Sequence, residues 1–365
     1  MRVIIAGGGT GGHLYPGIAV AEEIYRQEPD SDVLFVGTKT GIESRILPKE
    51  GYKLEIISAG GVVNKNIFSK FISFMKMTAG FFKSFFVLRS FKPDIVVGVG
   101  GYASAPMLSA AAIMRFPTMI MEQNLYPGTT NRFLSRIVDR VVVAFHGSEK
   151  FFNRKVDVLG NPVRRGIKEC KNITGRTFTV FIFGGSQGSH AINKGIVESL
   201  EYLQEESGQI SFLHQTGEKD YAWVDESYKK AGITAEVAPY VYNIIDMYGK
   251  ADIVICRAGA TTIAEITAIG IPAILIPYPY AADNHQYWNA VEVEKNGGGY
   301  LLSQIDLTPE KIVEIIIDLL RNKEKYERMK MFSKEMGCPN ASVCVVDTIS
   351  RLISYRETRV ALLAR

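Results

Sequence analysis

Cysteine is scarce in this chain: Cys170, Cys256, Cys338 and Cys344 are the only four in 365 residues, with no C-x-x-C spacing and no histidine pair nearby. This excludes a zinc site of ordinary design and a disulfide framework, and reads as reduced thiols in a cytosolic protein. Long apolar runs are lacking too. Although 47% of the residues are hydrophobic, nowhere do roughly 18 uninterrupted apolar residues occur, so no spanning helix is expected and any membrane contact is peripheral. The first apolar stretch, Val3 to Ala6, stops at Gly7 and is too short for a signal-peptide core, which predicts no secretion. A dominant charge is also absent. Lys and Arg total 42 against 38 Asp and Glu, and a net charge of +4 is too mild to demand nucleic acid as a partner.

What is present has a rhythm. Short β-branched runs followed by glycine and a helical pattern recur at Val3 to Ala6, Val33 to Val36, Ile95 to Val97, Val141 to Val143, Thr179 to Phe183 and Ile253 to Cys256. Such alternation predicts doubly wound α/β architecture, and the length suits two domains of about 150 to 200 residues. The pattern restarts after Gly160-Asn161-Pro162-Val163, where a turn-rich stretch precedes a fresh strand. The expected domains are 1–162, 163–340 and a last helical stretch, 341–365, packing back on the first. The expected fold is thus α/β, two Rossmann-like lobes facing each other across a cleft.

Each half opens on a glycine loop. Gly7-Gly8-Gly9-Thr10-Gly11-Gly12-His13 leads into a helical pattern in which Pro16 suits an early position. Glycines let backbone approach a ligand closely, and amides at a helix start attract phosphate. A dinucleotide-binding dehydrogenase would also need an acidic residue at the end of the second strand, about 20 residues on. That strand ends Val36-Gly37-Thr38, so the ribose anchor is missing. Gly184-Gly185-Ser186-Gln187-Gly188 and Gly98-Val99-Gly100-Gly101-Tyr102 sit in the same strand-to-helix context, and three such loops favour a phosphorylated ligand over plain turns. Glu265, on the first turns of the helix after Cys256, could accept from a ribose diol or serve only the helix dipole. Asp30-Ser31-Asp32 superficially resembles a metal-binding D-x-D but reads as a solvated loop. No metal or cofactor is expected.

Taken in order, Gly8 to His13, Gly98 to Pro106, Glu122-Gln123-Asn124, Gly160 to Arg164, Gly184 to Gly188, Cys256 to Glu265 and Asp283 to Ala290 closely resemble the GT-B-fold transferases that move N-acetylglucosamine from UDP onto undecaprenyl-pyrophosphoryl-muramyl-pentapeptide in peptidoglycan synthesis. The resemblance spans nearly the whole chain. It implies an acceptor site in the first lobe and a donor site mainly in the second, on the cytoplasmic face of the bacterial membrane. It places UDP-N-acetylglucosamine contacts on Thr10, Gly11, Gly12, Asn124, Arg164, Ser186, Val241, Ala260, Thr261, Thr262, Ile263, Ala264, Glu265 and Gln286, with Val241 meeting uracil through its backbone. Transfer is expected to proceed with inversion, which requires one base. His13 leads, its near-neutral intrinsic pKa suiting proton transfer; Glu122 and Tyr102 compete, and His13 could instead merely bond the loop backbone.

Residues Ile67 to Lys92 are rich in phenylalanine and carry Lys70, Lys76, Lys83, Arg89 and Lys92 with no acidic residue. Phe68, Phe71, Met75, Phe82 and Phe86 recur at helical spacing, which predicts an apolar stripe with cationic flanks, facing an anionic membrane surface or packed as a core-facing helix pair. The segment discriminates a lipid-linked acceptor from the competing readings, a UDP-sugar epimerase or a transferase with a soluble substrate. A non-catalytic nucleotide-binding module is disfavoured by three glycine loops accompanied by His13.

Overall fold

The computed structural model of the chain describes the backbone of residues 1–60, 67–171 and 177–363, with side chains at all of these except 67–71, 357 and 359–363. The chain divides into Met1–Arg165 with Asn340–Arg365, and Gly166–Pro339. The first lobe strings together β1 (Arg2–Gly7), α1 (Gly11–Gln27), β2 (Asp32–Gly37), α2 (Glu43–Lys49), β3 (Lys53–Ile56), α3 (Ile67–Phe91), β4 (Ile95–Gly100), α4 (Ser104–Ile113), β5 (Thr118–Glu122), α5 (Thr129–Leu134), β6 (Arg140–Val143) and β7 (Val156–Val158). Its strands form one parallel sheet in the order β3-β2-β1-β4-β5-β6-β7.

Helices cover both faces of this sheet, which is why its central strands are continuous apolar runs rather than alternating ones. Val3 and Ile5 of β1 join a core with Leu14, Ile18 and Ile24 of α1, while Ile4 and Ala6 join another with Leu88 of α3 and Met107 and Leu108 of α4. Val345, Val346 and Ile349, in the last helix, complete the α1 side.

The second lobe runs β8 (Phe178–Phe183), α6 (His190–Ser199), β9 (Ile210–Gln215), α7 (Tyr221–Ala231), β10 (Ala235–Ala238), α8 (Ile244–Lys250), β11 (Ile253–Cys256), α9 (Ala260–Ile269), β12 (Ala273–Leu275), α10 (His285–Lys295), β13 (Gly299–Leu301), α11 (Pro309–Arg321) and α12 (Lys323–Met336); α13 (Ala341–Leu363) belongs to the first. Its parallel sheet is ordered β10-β9-β8-β11-β12-β13. In each sheet the order reverses once, between β1 and β4 and between β8 and β11, and ligands of open α/β sheets bind outside the strand ends at such a point. All the glycine loops lie there. The β1–β4 register shifts between Ala6 and Gly7, bringing Gly7 opposite Gly100, so the irregularity falls where the first loop begins.

Three local expectations change. Pro16 is the sixth residue of α1 rather than an opening one, because Gly11 and Gly12 already take helical geometry. Asp30-Ser31-Asp32 is not solvated throughout: Ser31 is buried, and Asp32 opens β2 and pairs with Lys53 at 2.7 Å. Residues 67–91 form one continuous helix instead of a pair. Its two faces divide the work expected of it. Phe81, Phe85, Val87 and Leu88 pack into the core, while Ile72, Met75, Phe82 and Phe86 stand exposed at helical spacing, Phe86 at 74%. Phe68 and Phe71 lie outside the described side chains.

Candidate functional site

In the first lobe the two glycine loops touch backbone to backbone. Gly8 N–H donates to Gly100 O at 3.2 Å, and Gly101, at φ +82°, sits where a Cβ would lie 2.3 Å from Gly8 O, so no side chain fits there. Ser104, at the start of α4, ties both loops by donating to Ala6 O at 2.7 Å and Gly100 O at 3.0 Å. A buried carboxylate completes the clamp. Glu43, 1% exposed at the head of α2, accepts from Gly9 N at 2.7 Å, Thr38 N at 2.8 Å and the Thr38 hydroxyl at 3.0 Å.

His13 stands on the first turn of α1, its Nδ1 3.1 Å from Gln123 Oε1. Gln123 is itself buried just beyond β5 and donates from Nε2 to Val99 O at 3.1 Å. Its neighbour Glu122 is 3% exposed, and each of its oxygens accepts two bonds: Asn124 N at 3.0 Å and Nδ2 at 3.2 Å on one, Gly128 N at 3.0 Å and Asn131 Nδ2 at 2.9 Å on the other. A carboxylate so engaged shapes the loop presenting Asn124. Tyr102 is 56% exposed at the end of the β4 loop. Arg164, expected beyond the domain boundary, belongs with the first lobe, where its guanidinium lies 4.3 Å from the centroid of Tyr15, beside the Thr10 to Gly12 turn.

In the second lobe a cavity of about 480 Å³ opens at the β8–β11 switch point, lined by Gly184, Gly185, Gly188, Ser189, Arg257, Gly259, Thr262, Tyr278, Gln286 and Gln304 among others. The Gly184–Gly188 loop carries Ser186 exposed. Arg257, directly after β11, forks across the cavity wall: Nη1 donates to Ile276 O at 3.2 Å and Pro277 O at 3.1 Å, Nη2 to Ser189 Oγ at 2.8 Å and Gln304 Oε1 at 2.7 Å. These four acceptors are neutral, so the guanidinium brings positive charge to the loop, and its burial draws its pKa below the ordinary arginine value. Gln286 Oε1 accepts from Tyr278 N at 2.9 Å.

The remaining expected contacts differ in access. Along α9, Thr262 faces the cavity while Ala260, Thr261, Ile263 and Glu265 are buried, Ala264 being intermediate. Glu265 Oε2 accepts from the Tyr248 hydroxyl at 3.1 Å. Val241 N donates to Gln215 Oε1 at 2.8 Å, and Gln215 Nε2 to Gly185 O at 2.9 Å, a strut joining the Val241 loop to the Gly184–Gly188 loop. Glu43, Gln215 and Arg257 were not singled out from sequence. Arg257 had a signal, its place at the carboxyl end of a central strand; Glu43 had none, being 34 residues from the amide it holds.

Two parallel-sheet lobes with glycine loops at both switch points define a nucleotide-sugar enzyme of the two-Rossmann type. Residues 3–143 match the glycosyltransferase family 28 N-terminal domain and residues 179–342 the family's C-terminal domain, and the chain belongs to glycosyltransferase family 28. More particularly, it is 44% identical over 351 residues, 95% of each chain, to a UDP-N-acetylglucosamine--N-acetylmuramyl-(pentapeptide) pyrophosphoryl-undecaprenol N-acetylglucosamine transferase of Geobacter sp. (strain M21). The crystal structure of MurG from Acinetobacter baumannii is similar at a TM-score of 0.78 and 29% identity, covering 96% of this chain and 99% of that one. The UDP-GlcNAc 2-epimerase of Neisseria meningitidis, at a TM-score of 0.67 and 15% identity over 96% of this chain and 100% of its own, shares the fold alone.

Proposed function

We propose that this chain transfers N-acetylglucosamine from UDP-N-acetylglucosamine to the 4-hydroxyl of undecaprenyl-pyrophosphoryl-N-acetylmuramyl-pentapeptide. The observation that carries this reading is the 44% identity, over 95% of both chains, to a curated transferase of that name. In the inverting step the acceptor oxygen bonds to the anomeric carbon as the bond from that carbon to the β-phosphate oxygen breaks. The electron pair leaves with UDP, and the hydroxyl proton passes to His13. His13 is preferred to Glu122 because both oxygens of the buried Glu122 carboxylate are already taken up by four protein donors, whereas imidazole is the side chain most often used for such a transfer.

Negative charge accumulating on the diphosphate is met in the second lobe by the Gly184–Gly188 amides, Ser186 and the Arg257 guanidinium, an environment organised before the reaction begins. Thr262 and Gln286 serve the donor from the cavity wall; Thr10, Gly11, Gly12, Asn124 and Arg164, the other expected contacts, belong to the first lobe. No helix among the described residues is long and apolar enough to cross a membrane. We place the enzyme on the cytoplasmic face of the bacterial membrane, held peripherally by the exposed stripe of α3 and its cations against anionic lipid.

The test is turnover of the purified protein with UDP-N-acetylglucosamine and a lipid-linked muramyl-pentapeptide, following UDP release and the disaccharide-lipid product. Acceptor-dependent release of UDP with formation of that product is expected. Epimerisation of the sugar nucleotide without the acceptor would instead return the chain to the epimerase reading.

A further inference from the structure

We infer that Gln123 is a positioning residue that fixes the tautomer of His13, holding hydrogen on Nδ1 and leaving the lone pair on Nε2. The inference rests on the reading of His13 as the base and adds to it how a neutral imidazole is made ready at one nitrogen. Gln123 is 2% exposed, so its amide cannot turn to water for partners. Its Nε2 lies 3.1 Å from Val99 O, an acceptor with no hydrogen to give, and the reversed orientation would set two carbonyl oxygens against each other. The amide nitrogen therefore faces Val99 and the amide oxygen faces His13.

That oxygen lies 3.1 Å from His13 Nδ1 and can only accept. Nδ1 must then carry the hydrogen, and in the neutral ring Nε2 carries the lone pair that takes a proton. Ring nitrogens are distinguished in this way, by the bond the other nitrogen makes. The chain of dependence runs from the Val99 carbonyl at the end of β4 through the Gln123 amide to the imidazole. Gly100 keeps the ring in register with it: at φ +91°, a Cβ there would stand 2.6 Å from Nδ1 and 2.8 Å from Cε1, so the imidazole is seated directly against bare backbone. Rotating the ring by half a turn would bring a carbon to Gln123 Oε1 and forfeit the bond. Once the proton has been taken, the same amide oxygen faces the Nδ1–H of a cation, so the contact favours the product of proton transfer as well as the orientation that precedes it.

The decisive measurement is a long-range proton–nitrogen correlation spectrum of uniformly 15N-labelled protein at a pH where His13 is neutral, the signals assigned by their loss in His13→Gln. The Nδ1–H form is expected in the parent and in Gln123→Glu, whose carboxylate still accepts from Nδ1. In Gln123→Met, which fills the volume without an acceptor, the Nε2–H form should gain population, and kcat should fall roughly 10- to 100-fold with the donor KM within about twofold of the parent's. An Nε2–H tautomer in the parent overturns the inference without any variant having to fold, and an Nδ1–H form that persists in Gln123→Met overturns it too. If the tautomer shifts as expected while kcat stays constant, Gln123 does fix the tautomer and it is the assignment of His13 as base that fails.

Discussion

The Glu43 carboxylate accepts from the amide of Gly9 at 2.7 Å across 34 residues of sequence, and its second oxygen holds Thr38. The first glycine loop is thus fastened to the end of β2, where a dinucleotide enzyme would keep a ribose-binding acid. Here the acid comes from the following helix and grips the loop itself.

Glu43→Ala should therefore leave two amides and a hydroxyl without their acceptor and cost about 3 kcal/mol, since each bond to a charged group is worth roughly 1.5–3 kcal/mol and neighbouring losses overlap. Both tryptophans, Trp223 and Trp288, lie in the second lobe. Urea unfolding followed by far-UV circular dichroism should show the weakened first lobe, and turnover should drop with it because His13 sits on the helix this loop begins. An unchanged dichroism midpoint would show that the clamp is dispensable.

His214 supplies a pH test of the second lobe. It is 1% exposed, with Nδ1 3.1 Å from the Tyr228 hydroxyl and Nε2 3.1 Å from Asn193 Oδ1, and burial pushes its pKa down to about 3. Between that value and the ordinary histidine value of about 6.5 the unfolded chain binds a proton that the folded lobe refuses. Stability contributed by this group is complete above about pH 6.5 and is lost as pH falls, by at most about 1.4 kcal/mol per pH unit. Tryptophan fluorescence in urea should show this slope in the parent and a flatter one in His214→Gln. Parallel profiles would remove His214 as its source.

Much of this was legible in the sequence because the informative strands are the central ones. Val3 to Ala6, Val33 to Val36, Ile95 to Val97 and Ile253 to Cys256 are buried on both faces and so read as uninterrupted apolar runs, the first three ending directly in glycine. Strands such as Lys53–Ile56, Val156–Val158 and Ala235–Ala238 escaped notice: they are short, carry charge and lie at sheet edges, where one side has no neighbouring strand to select for apolarity. Site residues divide similarly. His13 and Ser186 are announced by the loops that hold them, whereas the partners of Glu122 and Glu265 were invisible, because four donors around one carboxylate and a tyrosine hydroxyl on the other are arranged by tertiary packing.

Glu265 is where the expected donor contact meets an internal one, since Tyr248 already donates to its carboxylate. If it also receives a ribose hydroxyl, Glu265→Ala should raise the donor KM far more than the acceptor KM. It should also lower stability by roughly 1–3 kcal/mol as Tyr248 loses its acceptor. Glu265→Gln keeps an acceptor for Tyr248 and separates the two effects, retaining most of the stability while weakening a charge-assisted bond to ribose. Steady-state kinetics with each substrate varied in turn decide the matter; a parental donor KM in both variants would remove Glu265 from the donor site.

The membrane reading rests on α3, and its geometry tells which residues to change. Lys83, although exposed, donates to Ile56 O at 2.5 Å and lies 3.7 Å from Glu55, so its loss would disturb the lobe as well as any lipid contact. Lys76 and Arg89 are exposed on α3 itself and make the cleaner pair. Each basic residue near an anionic surface contributes about 1 kcal/mol, so reversing both to glutamate should cost at least about 2 kcal/mol, roughly thirtyfold in partitioning, on anionic vesicles and little on neutral ones. Phe82 and Phe86, 60% and 74% exposed, should behave differently. Their replacement by serine removes apolar surface that can enter the acyl boundary and should weaken binding to both kinds of vesicle. Vesicle sedimentation at two salt concentrations separates the contributions, since only the charge term is screened. Parental sedimentation of both double variants would show that the lipid-facing surface lies elsewhere, and that the exposed stripe of α3 serves another purpose.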